Sequence, residues 1–164
     1  MAEAVFAHHL LLSSSSSTPP HPLVAHIDSA GTGAYHIGAA PDPRTIATLH
    51  ENHITAYRHK AREIKDEDFE RFQYVLGMDE QNWEDLMERR RRVAKKRKGR
   101  REEGLAKVML FGEFGGRGRE VVVDPYYDEI DGFRVAFEQM GRFSRGLLRA
   151  LEGEGEVVGV EKED

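Results

Sequence analysis

The chain has 164 residues, of which 39% are hydrophobic and 32% charged, a composition typical of one folded domain of ordinary size. It contains no cysteine, which excludes disulfide bonds, cysteine-ligated metal sites and thiolate nucleophiles from this sequence. Acidic residues outnumber basic ones by 29 to 24, and ten of the basic residues lie between positions 89 and 101. This stretch is therefore strongly basic and the rest strongly acidic.

The first third of the chain is predicted to contain two helices, a loop and a short strand. Apolar residues at helical spacing predict a helix from Met1 to Leu12. Serine and proline residues at 13–22 predict a loop. Leu23 to Asp28 has the composition of a short strand. Asp42 followed by Pro43 is typical of a helix start, and this second helix is expected to end near residue 52.

The rest of the chain alternates between predicted helices and strands. The elements are a short helix capped by Asp66, a buried strand at 72–78, a helix at 80–98 capped by Asp79, a strand at 107–111, and a helix from Asp131 to Leu151. Such alternation predicts an α/β fold in which a parallel sheet carries helices on both faces. Ligands bind outside the carboxyl ends of the strands in such sheets.

We expect a single domain over residues 1–151, with a Ser/Pro-rich loop insertion at 13–22 and a basic insertion at 89–101. Residues 152–164 alternate glycine with acidic residues and are expected to form a disordered acidic tail. The first twelve residues lack a basic start and are too short and polar for a secretory or membrane segment. A cytoplasmic location follows as the expectation, with the nucleus as an additional location, and no membrane partner is expected.

Six short motifs occur in the order and spacing of one known family. They are Ile27-Asp28-Ser29-Ala30-Gly31-Thr32, Pro41-Asp42-Pro43-Arg44, Ala61-Arg62, Asp68-Phe69, Met78-Asp79-Glu80 and Asp124-Pro125-Tyr126-Tyr127. Together with the Ala2–Phe6 segment and the Phe133 helix, they make the chain resemble a low molecular weight protein-tyrosine phosphatase. The resemblance covers almost everything except 13–22, the basic run and the tail.

The resemblance implies a two-step hydrolysis of phosphotyrosine proteins or small aryl phosphates. In the family, a cysteine thiolate within a Cys-x5-Arg loop takes the phosphate, and water later releases it. By this resemblance, Asp124 is the general acid that protonates the leaving phenolate, a role suited to a carboxylic acid on a loop stiffened by Pro125. Three tyrosines match the aromatic walls around the substrate ring, namely Tyr35, Tyr126 and Tyr127.

Ser29 and His59 match two supporting residues of the family, which hydrogen-bond a loop asparagine and hold the phosphate loop in shape. Simpler interpretations stay open for several of these residues. An Asp-Pro pair such as Asp124-Pro125 often only opens a turn, and Tyr126 and Tyr127 could merely pack under their loop. His59 could be an ordinary surface histidine. No cofactor is expected, and no metal, because His50 and His53 have no obvious third ligand at metal spacing.

The chain departs from the family at its start. In the family the counterpart of Ala2–Phe6 directly follows the phosphate loop, whereas here it follows Met1. The sequence therefore lacks the family's first strand, which is central in the sheet between the counterparts of 23–28 and 72–78. It also lacks the nucleophilic cysteine and the phosphate-binding arginine. We expect the chain as given to be inactive, since a general acid supplies about 10²–10⁴-fold of an acceleration that reaches about 10²¹-fold.

A truncated gene model is the favoured explanation, and a genuine pseudophosphatase is the alternative. A competing function is a binding module that uses the basic 89–101 run to hold nucleic acid, an acidic protein or an import receptor. No aromatic residue interleaves the run, which disfavours nucleic acid. The simplest interpretation of the run is a solvated helix extension and loop.

Overall fold

Five α-helices and two strands make up the part of the chain that the computed structural model describes, which is residues 1–13, 21–97, 102–125 and 130–153. The helices are α1 (Ala2–Ser13), α2 (Pro43–Glu51), α3 (Asp68–Arg71), α4 (Glu80–Lys96) and α5 (Ile130–Leu151), with a 3₁₀ helix at Phe111–Gly115. The strands are β1 (Tyr74–Gly77) and β2 (Lys107–Leu110), which pair in parallel. The end of the basic run, at 98–101, and the tail from residue 154 lie outside this description.

The parallel sheet carries helices on both faces, as the sequence predicts. Leu76 of β1 pairs with Met109 of β2, and both side chains pack against a core that α1, α2 and α5 build. Val75 pairs with Val108, and these two pack against a second core that contains side chains of α3 and α4. Successive strand residues point to opposite faces. The Leu76–Met109 pair therefore packs into the first core and the Val75–Val108 pair into the second.

Two predicted helix starts are confirmed by side-chain caps. The Asp42 carboxylate accepts a hydrogen bond from the Arg44 N–H at 2.8 Å, at the start of α2. The Asp79 carboxylate accepts one from the Asn82 N–H at 2.6 Å, at the start of α4. Each cap satisfies one of the N–H groups that the first helical turn leaves without a partner. Because α4 runs to Lys96, most of the basic run lies on this helix.

The strand predicted at 23–28 is wrong. The backbone there forms only an isolated bridge between His21 and Val24, and residues 26–30 have no regular structure. A strand needs a hydrogen-bonded neighbour, and β1 and β2 are the only strands that pair in the described part of the chain. In the family that the sequence resembles, the neighbour of this segment is the first strand, which the sequence lacks.

The last helix, α5, contacts α1, α2 and the 3₁₀ helix. Phe143 of α5 has no exposed surface, and its ring meets the edge of the Phe111 ring at a centroid distance of 5.4 Å. A Cβ at Gly146 would lie 1.7 Å from the Phe114 carbonyl oxygen. Only glycine therefore allows α5 to approach the 3₁₀ helix this closely.

Within the described ranges, no helix combines the length and the apolar character that crossing a bilayer requires.

The Asp79 cap gives a test of the fold. We expect Asp79→Ala to lower the free energy of unfolding by about 1 kcal/mol, because the first turn of α4 loses its side-chain acceptor. Urea denaturation followed by circular dichroism measures the change. Glu84→Ala is the matched control, since Glu84 is an exposed residue of the same helix, and its effect should stay within about 0.5 kcal/mol. Equal losses in both variants would contradict the assigned cap.

Candidate active site

Asp124 lies just beyond the carboxyl end of β1. The Met78 carbonyl oxygen, directly after this strand, accepts a hydrogen bond from the Val122 N–H at 2.8 Å. Val122 is buried in the first core, whereas Asp124 is exposed. The buried anchor therefore places the backbone of Val122, two residues before Asp124, at the edge of the sheet where parallel α/β folds bind their ligands. The neighbouring Tyr126 and Tyr127 lie outside the described residues.

Tyr35 lies on a loop that is fixed at both ends against one extended segment. The Gly31 N–H donates to the Arg62 carbonyl oxygen at 2.8 Å, and the Gly38 N–H donates to the Ala61 carbonyl oxygen at 2.7 Å. The Tyr35 side chain itself is almost entirely exposed, at 93%. An aromatic ring presented to solvent on an anchored loop is available for stacking on a flat ligand.

Ser29 and His59 come together around the carboxylate of Glu3 on α1. The Ser29 hydroxyl donates to Glu3 Oε2 and lies 3.5 Å from His59 Nε2. His59 Nδ1 lies 3.2 Å from the same Glu3 oxygen, and the Tyr57 hydroxyl also donates to it, at 3.2 Å. The Tyr57 and His59 rings are nearly parallel, with centroids 6.2 Å apart. One oxygen of Glu3 thus connects α1 to both of the loops that carry Ser29 and His59.

The electrostatics of this cluster keep the Tyr57 hydroxyl protonated. Burial and the negative charge of Glu3 raise the pKa of Tyr57 to about 12. Both effects disfavour a phenolate next to a carboxylate. Tyr57 therefore stays a hydrogen-bond donor to Glu3 at neutral pH, and the direction of the hydrogen bond is fixed.

Arg62 joins the Ser29 segment to α3. Its Nε donates to Asp28 Oδ2 at 2.8 Å, and its Nη1 donates to Asp68 Oδ2 at 2.7 Å. Asp28 in turn accepts a hydrogen bond from the Ser29 N–H at 2.8 Å. Arg62 offers several donors in a fixed planar arrangement, which allows it to bind the two carboxylates at once. The position of Ser29 therefore depends on this arginine as well as on Glu3.

Glu3, Tyr57 and Arg62 organise the cluster, although the sequence alone predicts no role for them. Glu3 and Arg62 both belong to segments of the family resemblance, Ala2–Phe6 and Ala61-Arg62, which is the signal that could have identified them. No spacing in the sequence connects Tyr57 with Glu3, because the two residues meet only through the tertiary fold.

The basic run on α4 is largely paired with acidic side chains of the same chain. Arg89 lies 3.0 Å from Asp66. The sequence predicts Asp66 as the cap of α3, but the N-cap of this helix is Glu67. The further ion pairs are Arg89–Glu63 at 3.4 Å, Lys96–Asp66 at 2.7 Å, Arg97–Glu70 at 3.3 Å, Arg92–Glu88 at 4.0 Å and Arg90–Glu102. These pairs favour the interpretation of the run as a solvated helix face, since paired cations are less available to a polyanion.

Comparison with known proteins identifies the family. A family model described as "Low molecular weight phosphotyrosine protein phosphatase" matches residues 1–157. The chain belongs to this family. A phosphatase of this description from Schizosaccharomyces pombe is 42% identical over 126 residues, which cover 76% of this chain and 74% of that protein. One from Saccharomyces cerevisiae is 33% identical over 152 residues, which cover 91% and 84%.

Solved structures agree with this low molecular weight phosphatase fold. The crystal structure of Primo-1 is similar with a TM-score of 0.66 and 31% identity, and the match covers 90% of this chain and 86% of that one. The Drosophila arginine phosphatase DARP is similar with a TM-score of 0.72 and 26% identity, with 91% and 87% covered. The family predicted from the sequence motifs and the α/β fold with a parallel sheet are therefore confirmed.

The Arg62 pairs predict how stability depends on pH. Burial disfavours the charged form of Asp68, but the hydrogen bonds from Arg62 and from the Lys65 N–H outweigh it, so the pKa of Asp68 lies below its usual value of 3.8. Because the pKa is lower in the folded state, the ionised Asp68 stabilises the fold above about pH 4. This contribution is lost as the pH falls through the folded-state pKa.

We expect Asp68→Asn to lower the free energy of unfolding by about 1–3 kcal/mol at pH 7, since the charged acceptor of Arg62 is removed. The difference from the parent chain should shrink as the pH falls through the folded-state pKa of Asp68, which lies below 3.8. Denaturant titrations across the acid range measure both effects. Glu67→Gln changes an exposed carboxylate next to Asp68 and serves as the control. A loss that is independent of pH would contradict the assigned ionisation.

Proposed function

We propose that this chain carries two parts of a protein-tyrosine phosphatase site: the general acid that protonates the leaving group, and the residues that bind the substrate. The substrates would be phosphotyrosine proteins or small aryl phosphates. The observation that supports this most is the position of Asp124 at the carboxyl end of β1, through the Val122–Met78 hydrogen bond, in a chain of this family. The chain contains no cysteine, so we infer that it does not carry out the reaction by itself.

Asp124 is proposed as the general acid. As the bond between phosphorus and the ester oxygen breaks, the carboxylic acid gives its proton to that oxygen, and the leaving group departs as a neutral phenol. The phosphoryl group passes to a cysteine sulfur, which this sequence does not contain, and water later releases inorganic phosphate. The exposed position of Asp124 suits this role, because the acid must reach an oxygen of a bound substrate.

Tyr35 is proposed as one wall of the substrate site, together with Tyr126 and Tyr127. Its exposed ring on an anchored loop suits the stacking of an aromatic leaving group, which contributes about 0.5–1.5 kcal/mol for each aromatic pair. An aliphatic phosphate ester would lack this contribution. The site should therefore favour aryl over alkyl phosphates.

Ser29 and His59 are proposed to support the phosphate loop. Both contact Glu3, and Arg62 holds the backbone next to Ser29 through Asp28. A hydroxyl and an imidazole held on two sides suit a role in orienting a polar loop residue, since positioned groups lower the reorganisation that a reaction needs. These two residues act through the loop and are not proposed to touch the substrate.

The given sequence contains the proposed general acid and the proposed supporting residues but no cysteine. A cytoplasmic location is proposed with the family assignment.

A chain extended at its N-terminus tests the proposed chemistry. We expect the chain as given to hydrolyse p-nitrophenyl phosphate no faster than buffer. The same chain, extended by a strand and a Cys-x5-Arg-Ser loop, should hydrolyse it. Asp124→Asn in the extended chain should lower kcat by about 10²–10⁴-fold, because the leaving oxygen loses its proton donor.

The control for this experiment is Asp85→Asn in the extended chain, since Asp85 is an exposed carboxylate of α4 that should not affect kcat. Hydrolysis by the unextended chain would contradict the inferred inactivity. Equal kcat values for Asp124→Asn and Asp85→Asn would contradict the proposed acid.

A further inference from the structure

Three side chains that commonly bind metal ions converge beside the start of α1. One ligand atom from each of Glu3, Asp28 and His59 lies within 4.8 Å of the other two. They come from a helix and two separate loop segments, so no spacing in the sequence reveals the group. The set offers one imidazole nitrogen and two carboxylate oxygens, which is a donor set that suits a divalent transition metal.

The spacing of two of these ligands matches a tetrahedral zinc site. Zn²⁺ binds histidine nitrogen and carboxylate oxygen at about 2.0–2.1 Å, so two ligands at the tetrahedral angle lie roughly 3.3 Å apart. Glu3 Oε2 and His59 Nδ1 lie 3.2 Å apart. Their side chains are 18% and 17% exposed, and that of Asp28 is 27% exposed. Glu3 and His59 are thus partly shielded, whereas Asp28 is an exposed residue.

The charges around the group favour a divalent cation. The carboxylates of Glu3, Asp28 and Asp68 carry three negative charges, and Arg62, which pairs with the last two, carries one positive charge. These four side chains together carry two negative charges, which a divalent ion would offset.

Hydrogen bonds from neighbouring groups would orient the ligands. Tyr57 and Ser29 donate to Glu3, while Arg62 and the Ser29 N–H each donate to one oxygen of Asp28. Such contacts behind the ligands are usual in metal sites, where they fix the direction of each carboxylate and raise metal affinity. The carboxylates are thus held in place by the fold before any ion arrives.

We propose that Glu3, Asp28 and His59 form a Zn²⁺ site, with water as the fourth ligand. Zn²⁺ is favoured over Mg²⁺ and Ca²⁺ because these hard cations prefer all-oxygen sites. It is favoured over Mn²⁺ because a site with a nitrogen ligand binds Mn²⁺ less tightly than Zn²⁺. The ion would connect α1 to both loops that carry Ser29 and His59. The proposal does not depend on the phosphatase proposal, since zinc binding is measured without any activity.

Titration of ZnCl₂ into the whole chain by isothermal calorimetry tests the proposal, with Co²⁺ as a spectroscopic probe of the same site. We expect one equivalent of Zn²⁺ to bind, and we expect Co²⁺ to show the visible absorption of a four-coordinate ion that Zn²⁺ then displaces. His59→Ala should weaken binding about tenfold or more. Glu3→Gln keeps the shape of the side chain and one acceptor oxygen but removes the charge, and it should weaken binding similarly.

His36→Ala is the matched control, because His36 is an exposed histidine on the Tyr35 loop and should bind zinc as the parent chain does. Circular dichroism verifies that each variant is folded, and Glu3→Gln decides the outcome if His59→Ala unfolds. The proposal is overturned if the folded parent chain binds no zinc, in which case Glu3 and His59 form a hydrogen-bonded cluster only. It is also overturned if affinity is equal in Glu3→Gln and the parent chain, or if His36→Ala weakens binding as much.

Discussion

The in-register pairing of β1 with β2 determines where the two cores and the proposed site lie. Because side chains alternate along a strand, a shift of one residue would exchange Leu76 and Val75 between the cores. The same strand ends beside Met78, whose carbonyl group positions Val122 and thereby Asp124. A four-residue strand thus fixes both the packing of the helices and the place of the proposed acid.

Glu3 has a comparable role for the second part of the site. Its Oε2 atom contacts Ser29, His59 and Tyr57, so a residue of α1 holds two loops that are distant in sequence. A phosphate loop placed beside this cluster would meet polar groups already fixed in position, which costs less free energy than ordering them on binding. A bound zinc ion would rest on the same preorganisation, since its ligands are also fixed by the fold.

The sequence predicted those features that depend on local interactions. The Asp42 and Asp79 caps were predictable because each cap acts on backbone groups within three residues of itself. The strand at 23–28 was predicted wrongly because its composition favours a strand, whereas strand formation requires a partner from elsewhere in the chain. The contact of Tyr57 with Glu3 depends on tertiary packing, and the motifs do not contain that information. Ser29 and His59 were found through the family resemblance alone.

The central claim is that Asp124 protonates an aryl leaving group. The most direct test is how the hydrolysis rate depends on the pKa of that leaving group. In the extended chain with a Cys-x5-Arg loop, kcat/KM, which reports the step in which the phenol leaves, would be measured for a series of aryl phosphates whose phenols differ in pKa. A proton supplied in the transition state makes the rate nearly independent of the phenol's pKa. The account therefore expects a shallow dependence for the parent and a steep one for Asp124→Asn. Equally steep dependences in both proteins would contradict it.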